Sequence, residues 1–463
     1  MFNKLRLTIL SIILITIPLM GFGCKLFTNN EVKELYKPIS LKWWGVWEDS
    51  AEVETLISAY QAMHPNVTIA YRKFRFEEYE EELTRAWLEQ RGPDIFSLPA
   101  NYLKKYQNLI KPLPASMKLP FLELTGVVKK EPTIVVREIT NITPKKVRDA
   151  FVDVVAEQVI INNQIYGLPL SVDTLALYYN RDILTKAKIP LPASTWAELV
   201  DQAPRLTLFD TNGNIKQSAI ALGTDNNIPR ATDILALLMM QNGAQMIDGK
   251  GFATFNLAAN DSSFFPGINA LEFYLNFSDP NKTVYSWSEE MGDALSLFMS
   301  GKLAYFIGYN YQTPIIRAGA PKLAFNIAPM LQTVPDVQEV NYADYWTLST
   351  YFGTASENIA PAWDFIQFAT TNTEVLNLYL TKTNQPTALR SLINDQMQIE
   401  GLDIFADQLL NARNWYRGYQ PNEVEEMMND LIYQAKHNLN SKYTITNLLN
   451  DIIKRINTTI NPE

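Results

Sequence analysis

Apolar and polar residues alternate regularly over the first hundred residues after the N-terminal segment, and the spacing predicts strands and helices in turn. Residues 39–47 alternate as in a strand with one buried face. Residues 51–64 carry apolar side chains at spacings of three, four and seven, which is typical of an amphipathic helix. A second strand (67–72), a second helix (76–90) and a strand after the turn at 91–94 follow. This order is typical of a mostly parallel sheet flanked by helices.

The later part of the chain keeps the same mixture but with longer intervals. Residues 113–159 are rich in Lys, Pro and Thr without a clear period, so we expect loops and short helices there. A buried strand is predicted over 173–180, and Pro204 is expected to end the next helix. The remaining periodic segments predict helices at 192–203, 232–241, 264–278, 288–300, 363–371 and 421–439, and strands at 303–308 and 323–329.

Composition places the chain among ordinary globular proteins. Hydrophobic residues make up 47% and charged residues 19%. About 440 residues follow the N-terminal segment, enough for two or three domains with their own cores. The formal net charge of −9 argues against a nucleic-acid partner, because phosphate binding needs clustered Lys and Arg.

The N-terminal segment has the layout of a secretory signal. Lys4 and Arg6 precede an apolar run over 7–20, and small residues surround Cys24, the one cysteine of the sequence. This arrangement resembles a bacterial lipobox, in which the cysteine is acylated after cleavage, although Gly21 stands where Leu is usual. We therefore expect a signal peptide over 1–23 and lipid on Cys24.

An uncleaved membrane anchor is the alternative for this segment. The apolar run is shorter than the roughly 20 residues that span a bilayer. With either outcome, the remaining chain lies outside the cytoplasmic membrane, and residues 24–37 form a polar tether.

The sequence lacks the residues that several kinds of functional site require. The two histidines, His64 and His437, are expected at the surface and in a polar helix, without a second ligand at metal-binding spacing. Neither G-x-S-x-G nor a phosphate-binding loop is present. Residues 210–214 fit an Asn-Gly hairpin turn better than a calcium loop, whose twelfth position would be Ala221. We expect no metal and no cofactor.

Aromatic residues beside polar ones suggest a pocket. The chain has 9 Trp and 22 Tyr. Several of them lie within the segments 43–49, 309–312, 344–346 and 414–417. Each aromatic residue taken singly is explained as well by core packing. As a set they suit a carbohydrate, whose apolar face stacks on a ring while its hydroxyls bind polar groups.

The order of short motifs along the chain resembles the extracellular solute-binding proteins of ABC importers, of the family-1 or sugar-binding type. The matching motifs lie at residues 44–48, 92–96, 166–169, 175–182, 195–199, 298–304, 327–329 and 363–366. The resemblance implies a two-lobed periplasmic-binding-protein-like α/β fold. Each lobe is expected to be a mostly parallel sheet flanked by helices, with the ligand cleft at the hinge.

The resemblance also implies boundaries for these lobes. The N-terminal lobe is expected to comprise residues 38–170 and 302–345. The C-terminal lobe is expected to comprise residues 171–301 and 346–463. The chain would cross between them near 168–178, 302–306 and 345–348.

Candidate ligand-binding residues follow strands or lie at these crossings. For Asp94, capping of a turn is an equal alternative, and for Arg230 a salt bridge at a helix start is the stronger one. The candidates are Trp47, Glu48, Asp94, Asn101, Tyr102, Asp173, Arg230, Tyr309, Tyr345, Trp346 and Trp415.

The resulting hypothesis is a monomeric, lipid-anchored receptor on the outer face of the cytoplasmic membrane. It would capture a small solute, most plausibly a sugar or oligosaccharide, by hinge closure and deliver it to an ABC permease, without being an enzyme. Two alternatives stay open. One is a lipid-anchored enzyme that acts on carbohydrates through carboxylates distant in sequence. The other is a sensor or scaffold that binds a membrane partner without transport.

Overall fold

The computed structural model describes residues 36–126, 130–259, 263–335, 340–438 and 442–460. The predicted signal segment, Cys24 and all but the last two residues of the predicted tether lie outside the described residues. The expectations for that segment therefore stay predictions.

Helices and strands are distributed over the whole described chain. The strands are β1 (Ile39–Gly45), β2 (Val67–Lys73), β3 (Ile95–Pro99), β4 (Ser116–Thr125), β5 (Glu131–Thr140), β6 (Ile160–Ile161), β7 (Gln164–Ile165), β8 (Asp173–Thr174), β9 (Ala176–Asn180), β10 (Leu208–Phe209), β11 (Ile215–Ile220), β12 (Leu303–Gly308), β13 (Phe325–Ala328), β14 (Asn341–Asp344), β15 (Trp346–Thr350) and β16 (Ala412–Arg413). The helices are α1 (Ser50–Met63), α2 (Phe76–Leu88), α3 (Pro144–Ala150), α4 (Asp153–Val159), α5 (Arg181–Lys186), α6 (Trp196–Leu206), α7 (Ala231–Gln241), α8 (Pro266–Asn276), α9 (Ala294–Met299), α10 (Gln312–Gly319), α11 (Ser356–Thr371), α12 (Thr373–Thr383), α13 (Arg390–Gln396), α14 (Asp403–Gln408), α15 (Pro421–His437) and α16 (Lys442–Ile460).

The first hydrophobic core surrounds a four-stranded sheet in the order β15-β3-β1-β2. Strand β1 pairs in parallel with β2 and β3, whereas β15 is antiparallel to β3. Helix α1 packs on this sheet through Val53, Leu56, Ile57 and Tyr60, which lie on one helical face. The predicted strand-helix-strand-helix-strand order of residues 39–99 is therefore confirmed.

The second core surrounds a five-stranded sheet in the order β10-β11-β12-β9-β13. Only the β11–β12 pair is parallel in this sheet, so its strands differ from the mostly parallel arrangement that we expected. The antiparallel pairing follows from the directions of the strands. Strand β9 runs away from the first core, and β12 runs back toward it, so the two neighbours are antiparallel.

The chain passes between the cores at positions that correct the expected lobe boundaries. Val172 packs in the first core and Leu175 in the second, which agrees with the first expected crossing. The return lies between Tyr342 and Ala343, rather than near residues 302–306. Strand β12 cannot be a crossing, because it is fully buried between β9 and β11.

The second boundary correction concerns the segment after the return. Residues of α11, α12 and α13 pack in the first core, not in the C-terminal lobe where we expected them. Phe365 of α11, for example, packs edge-on against Trp43 of β1, with ring centroids 5.6 Å apart. Phe405 packs in the second core, Leu409 and Ala412 pack in the first, and the chain is in the second core again from Trp415.

Three local predictions were wrong. Strands β4 and β5 pair over ten residues each and form a long hairpin inside the segment expected to be loops and short helices. Helix α6 continues past Pro204 to Leu206. His64 is 3% exposed, because it stacks on Tyr60 and lies 3.3 Å from the carboxylate of Asp364.

Helix α7 provides a test of core packing, since ten of its eleven residues are buried. Leu235 is 0% exposed in this helix, so Leu235→Ala should lower the free energy of unfolding by about 3 kcal/mol. The matched control is Leu124→Ala in hairpin strand β4, where the side chain is 65% exposed and the change should be below about 0.5 kcal/mol. Urea unfolding of both variants measures the difference, and equal effects would contradict the core assignment.

Candidate ligand-binding site

A cleft between the two cores contains two adjoining cavities of about 540 Å³ and about 300 Å³. Both cavities are lined by the same four residues at their junction, which are Trp47, Tyr311, Asp344 and Trp346. The larger cavity extends toward α2 and the start of α15, and the smaller one toward α1, α10 and α12. A cleft of this size and composition is typical of a small-molecule site between domains.

The cleft residues of the first core come from the ends of its strands. Trp47 and Glu48 follow β1, and Asn101 and Tyr102 follow β3. Because β1 and β3 are parallel, their carboxyl ends meet at the same edge of the sheet, which faces the cleft. Trp346 is the first residue of β15, which is antiparallel to β3 and therefore starts at that edge.

An aromatic cluster formed by Trp47, Phe76, Tyr311 and Trp346 divides the cleft. The Trp47 ring centroid lies 5.8 Å from Phe76, 5.8 Å from Tyr311 and 5.9 Å from Trp346, with the two indole planes at 88°. Trp47 is 47% exposed and Phe76 57% exposed. Large aromatic faces that stay accessible inside a cleft suit a ligand that has an apolar face of its own.

Two aspartates face each other where the chain crosses between the cores. Asp173 of β8 lies opposite Asp344 of β14 in the antiparallel register. Like charges in this position repel each other. The Asp173 carboxylate accepts hydrogen bonds from the backbone N–H groups of Thr174 at 2.8 Å, Asn310 at 2.9 Å and Tyr311 at 3.1 Å. These bonds tie the first crossing to the cleft end of β12.

The pKa of Asp173 depends on burial, on its backbone donors and on the repulsion from Asp344. Burial raises the pKa to about 7, against the lowering effect of the three backbone donors, and the charge of Asp344 adds to the increase. Burial also raises the pKa of Asp344, although Arg230 opposes that shift.

Arg230 compensates the negative charges of Asp233 and Asp344. Its Nε donates to Asp233 Oδ2 at 2.6 Å, and its Nη2 donates to Asp344 Oδ2 at 2.9 Å. Tyr309 donates its hydroxyl to the same Asp233 oxygen at 2.8 Å. Burial opposes the guanidinium charge, but the two carboxylates outweigh it and raise the pKa of Arg230 well above its ordinary value. Arg230 has a left-handed backbone (φ 61°), which is unfavourable for a residue with a Cβ and is often found at functional sites.

Contacts across the mouth of the larger cavity join the two cores directly. The Tyr102 hydroxyl donates to Asn422 Oδ1 at the start of α15, and Asn422 Nδ2 donates to Glu80 Oε2 at 3.4 Å. A further ion pair between the cores, outside the lining of the larger cavity, joins Arg417 to Glu157 at 2.5 Å. These contacts would have to break for the cleft to open at this side.

Ten of the eleven candidate residues line the two cavities. Tyr309 and Tyr345 do so while remaining buried, and the Tyr345 hydroxyl donates to the Val154 carbonyl at 3.0 Å. The ten are Trp47, Glu48, Asn101, Tyr102, Asp173, Arg230, Tyr309, Tyr345, Trp346 and Trp415. For Arg230, the salt bridge at a helix start that we weighed as its stronger alternative is present as well.

Asp94 is the exception and does not line either cavity. It precedes β3, so it lies at the amino end of a strand whose carboxyl end reaches the cleft. Its carboxylate accepts hydrogen bonds from the Lys42 backbone N–H at 2.9 Å and from Asn358 Nδ2 at 3.1 Å. Asp94 therefore ties the start of β3 to β1 and α11, which is a structural role.

Sequence reasoning missed several cleft residues. Tyr311 and Asp344 belonged to the aromatic and polar segments that we noted, so that signal was present. Phe76 and Glu80 of α2, and Asn422 and Glu425 of α15, carry no local pattern that separates them from ordinary surface positions. Their role arises from helix placement, which the sequence did not indicate.

Within the described ranges, no three His, Cys, Asp or Glu side chains are arranged to hold a metal ion. None of the helices in these ranges combines the length and the apolar character needed to cross a membrane.

Comparison with known families identifies the chain. The sequence profile of the family described as "Bacterial extracellular solute-binding protein" matches residues 44–375. The chain therefore belongs to this family, and the predicted family resemblance is confirmed.

Curated relatives are distant. A maltotriose-binding protein of Pyrococcus abyssi is 21% identical over 360 residues, which are 76% of this chain and 67% of that protein. A protein of Brucella abortus is 22% identical over 282 residues, which are 59% of this chain but only 58% of that protein. The chain thus matches little more than half the length of the Brucella protein.

Solved structures confirm the fold. The cyclic α-maltosyl-1,6-maltose-binding protein of Arthrobacter globiformis superposes with a TM-score of 0.71 at 14% identity, over 90% of this chain and 99% of that chain. The two-lobed α/β fold that we predicted is therefore shown.

The network around Arg230 supports a stability prediction. Arg230→Gln should lower the free energy of unfolding by about 2 kcal/mol, because Asp233 and Asp344 lose their cation while they remain largely buried. The control is Arg85→Gln, which breaks an exposed helical pair with Glu81 and should cost less than about 0.5 kcal/mol. Chemical unfolding of the two variants measures the contrast, and a loss no larger than that of the control would contradict the network.

The raised pKa of Asp173 predicts how the free energy of unfolding depends on pH. Its pKa rises from 3.8 to about 7 on folding, so between these values the native chain holds a proton that the unfolded chain has lost. The contribution of Asp173 to the free energy of unfolding should therefore fall by about 3 kcal/mol as the pH rises from about 4 to about 7. The measurement is the difference between wild type and Asp173→Asn across this range. A difference that stays flat or grows with pH would show that the pKa is not raised.

Proposed function

We propose that this member of the bacterial extracellular solute-binding protein family captures a sugar or oligosaccharide in the cleft between its two cores. The aromatic cluster carries the proposal. Trp47, Phe76 and Trp346 come from the first core and Tyr311 follows β12 of the second, so a ring-stacked ligand would touch both. Amide, hydroxyl and carboxylate groups surround the cluster and suit sugar hydroxyls.

The printed names of relatives support the same ligand class. The Pyrococcus abyssi protein is named for maltotriose and the Arthrobacter globiformis protein for a cyclic maltosyl-maltose. Both ligands are oligosaccharides of glucose, and the larger cavity of about 540 Å³ falls within the usual range for small-molecule sites.

We further propose that the chain serves an ABC permease from the outer face of the cytoplasmic membrane, held by a lipid on Cys24. The order of basic, apolar and small residues before the one cysteine supports the anchor. A lipid-held receptor would stay close to the permease that receives its ligand. Capture by hinge closure would let the ligand stabilise the closed state by contacts that the open state lacks.

A thermal-shift screen tests the binding function. Glucose, maltose, maltotriose, maltotetraose and cellobiose would each be added in excess to the soluble body of the protein. A ligand at 100 times its Kd adds about 2.7 kcal/mol to the folded state, so the melting temperature should rise by a few degrees. If no saccharide raises it, saccharide capture is wrong. Release of nitrophenol from nitrophenyl glycosides would instead favour the enzyme alternative.

Small-angle scattering with the ligand found in the screen tests hinge closure. The radius of gyration should fall at saturation, because the two cores approach each other. An unchanged radius would favour a rigid, preformed site. Uptake of the labelled ligand by cells without the gene separates transport from a purely sensory role, because only transport predicts a loss of uptake.

Trp346→Ala should weaken binding more than it weakens folding. The side chain lines both cavities and lies edge-on to Trp47, so its loss should cost about 2 kcal/mol, or roughly 30-fold in Kd. The control is Phe209→Ala, an exposed aromatic outside both cavities, which should leave Kd unchanged. Calorimetric titration with the best saccharide measures both. Equal affinities for the two variants would show that Trp346 does not contribute to ligand binding.

Cys24→Ser should abolish lipid attachment. The sequence has one cysteine, so incorporation of an alkyne-tagged fatty acid should disappear, and the protein should be released or remain an uncleaved precursor. The neighbouring Thr28→Ser variant should label as the wild type does. Membrane retention with an unchanged mature mass in Cys24→Ser would contradict lipidation.

A further inference from the structure

The Glu48 carboxylate in the smaller cavity is incompletely satisfied. Its Oε2 is buried and has no hydrogen-bond partner among the described residues. Its Oε1 accepts from the Tyr379 hydroxyl at 3.5 Å, at the limit of a hydrogen bond, and the backbone N–H of Glu48 itself is the other donor near the carboxylate. A buried acceptor without donors costs free energy, and a buried charge without compensation costs more. Burial accordingly raises the pKa of Glu48.

The other carboxylates of this cavity differ from Glu48 because each has its own donor. Asp173 accepts three backbone N–H bonds, and Asp344 accepts from Arg230. Glu52 accepts the Asp49 backbone N–H at 2.6 Å, as part of the cap of α1. Glu48 is thus the carboxylate of the smaller cavity that has an oxygen without a hydrogen-bond donor.

Positive charge is missing from the walls of this cavity. Its described lining contains four carboxylates, namely Glu48, Glu52, Asp173 and Asp344, and no Lys, Arg or His. Lys73 is the cation that acts on Glu48, but its ammonium is engaged elsewhere. It donates to the Trp47 carbonyl at 3.0 Å and to Asp49 Oδ1 at 2.6 Å.

Aromatic rings supply the second feature that a cation needs. Trp47, Tyr309, Trp346 and Tyr379 all line the smaller cavity, and Trp47 keeps nearly half of its surface accessible. An ammonium group beside such rings gains cation–π attraction, most strongly over indole. A sugar hydroxyl could also donate to Glu48, but it would leave the charge of the Glu48 carboxylate uncompensated in a cavity of about 300 Å³.

We propose that the smaller cavity binds a protonated amine of the ligand, with Glu48 as its counter-ion, so that the preferred solute carries an amino group. The proposal rests on the cleft function above and narrows its ligand class to an amine-bearing saccharide. The amine donates to the Glu48 carboxylate. The rest of the ligand lies along the aromatic cluster toward the larger cavity.

Titration calorimetry at constant pH with matched probes tests the proposal. The probes are cellobiose, the β-1,4-linked dimer of glucosamine, its N,N′-diacetyl derivative, maltotriose and spermidine. The glucosamine dimer should bind the wild type at least tenfold more tightly than cellobiose and the diacetyl derivative, which share its skeleton without the charge. In Glu48→Gln this preference should shrink to less than threefold, while the affinity for an uncharged saccharide should change little.

The control is Glu54→Gln, on the exposed side of α1, which should keep the full preference. Without ligand, Glu48→Gln should raise the melting temperature, since it removes an uncompensated buried carboxylate. A marked fall would show that Glu48 already has a structural partner and would overturn the proposal.

The outcomes separate the two proposals. If cellobiose or maltotriose binds and the amine gives no advantage, the amine site is wrong and saccharide capture stands. If spermidine binds through Glu48 and no saccharide does, the amine site stands and the saccharide class is wrong. If none of the probes binds, both proposals are overturned.

Discussion

The cleft depends on the pairing of β8 with β14, which places Asp173 opposite Asp344 at the point where the chain leaves one core for the other. Two carboxylates in this position repel each other, and burial adds to the cost. Each is stabilised by donors from the second core. Asp173 takes the backbone N–H groups that follow β12, and Asp344 takes the guanidinium of Arg230. The repulsion is thus relieved only when β12, the start of α7 and the two crossings lie in their observed positions, which fixes the cleft side of the second core relative to the first.

A cleft built in this way is rich in negative charge. Arg230 is the one basic side chain among the described lining residues of both cavities, and it is already shared by Asp233 and Asp344. The protein therefore keeps uncompensated carboxylates in a partly desolvated place, at a cost to its stability. Such local conflicts are expected at functional sites, where the missing interactions come from a ligand. The exposed aromatic rings beside these carboxylates offer apolar faces on which the same ligand can stack.

The contacts between the cores fall into two kinds. The crossing strands provide a continuous covalent and hydrogen-bonded connection. Side-chain pairs such as Arg417 with Glu157 and Tyr102 with Asn422 add further contacts between the cores. Side-chain ion pairs and hydrogen bonds at an accessible surface contribute about 1 kcal/mol or less each. Breaking these side-chain pairs costs far less than any disruption of the crossing strands, which is the asymmetry that a hinge requires.

Sequence periodicity alone determined the strand and helix order of residues 39–99, because each amphipathic period reports which face of one local element is buried. Ten of the eleven candidates chosen because they follow strands or lie at crossings also line the cleft, since strand ends meet at one edge of a sheet. The wrong lobe assignments of β12 and of α11 to α13 have a different origin. A fully buried strand such as Leu303–Gly308 carries no pattern that says which of two cores surrounds it. Likewise, Phe76, Glu80 and Asn422 resemble surface residues until α2 and α15 are placed around the same cavity. Only the tertiary structure decided these points, because they depend on contacts between segments that are distant in the chain, and local periodicity contains no information about such contacts.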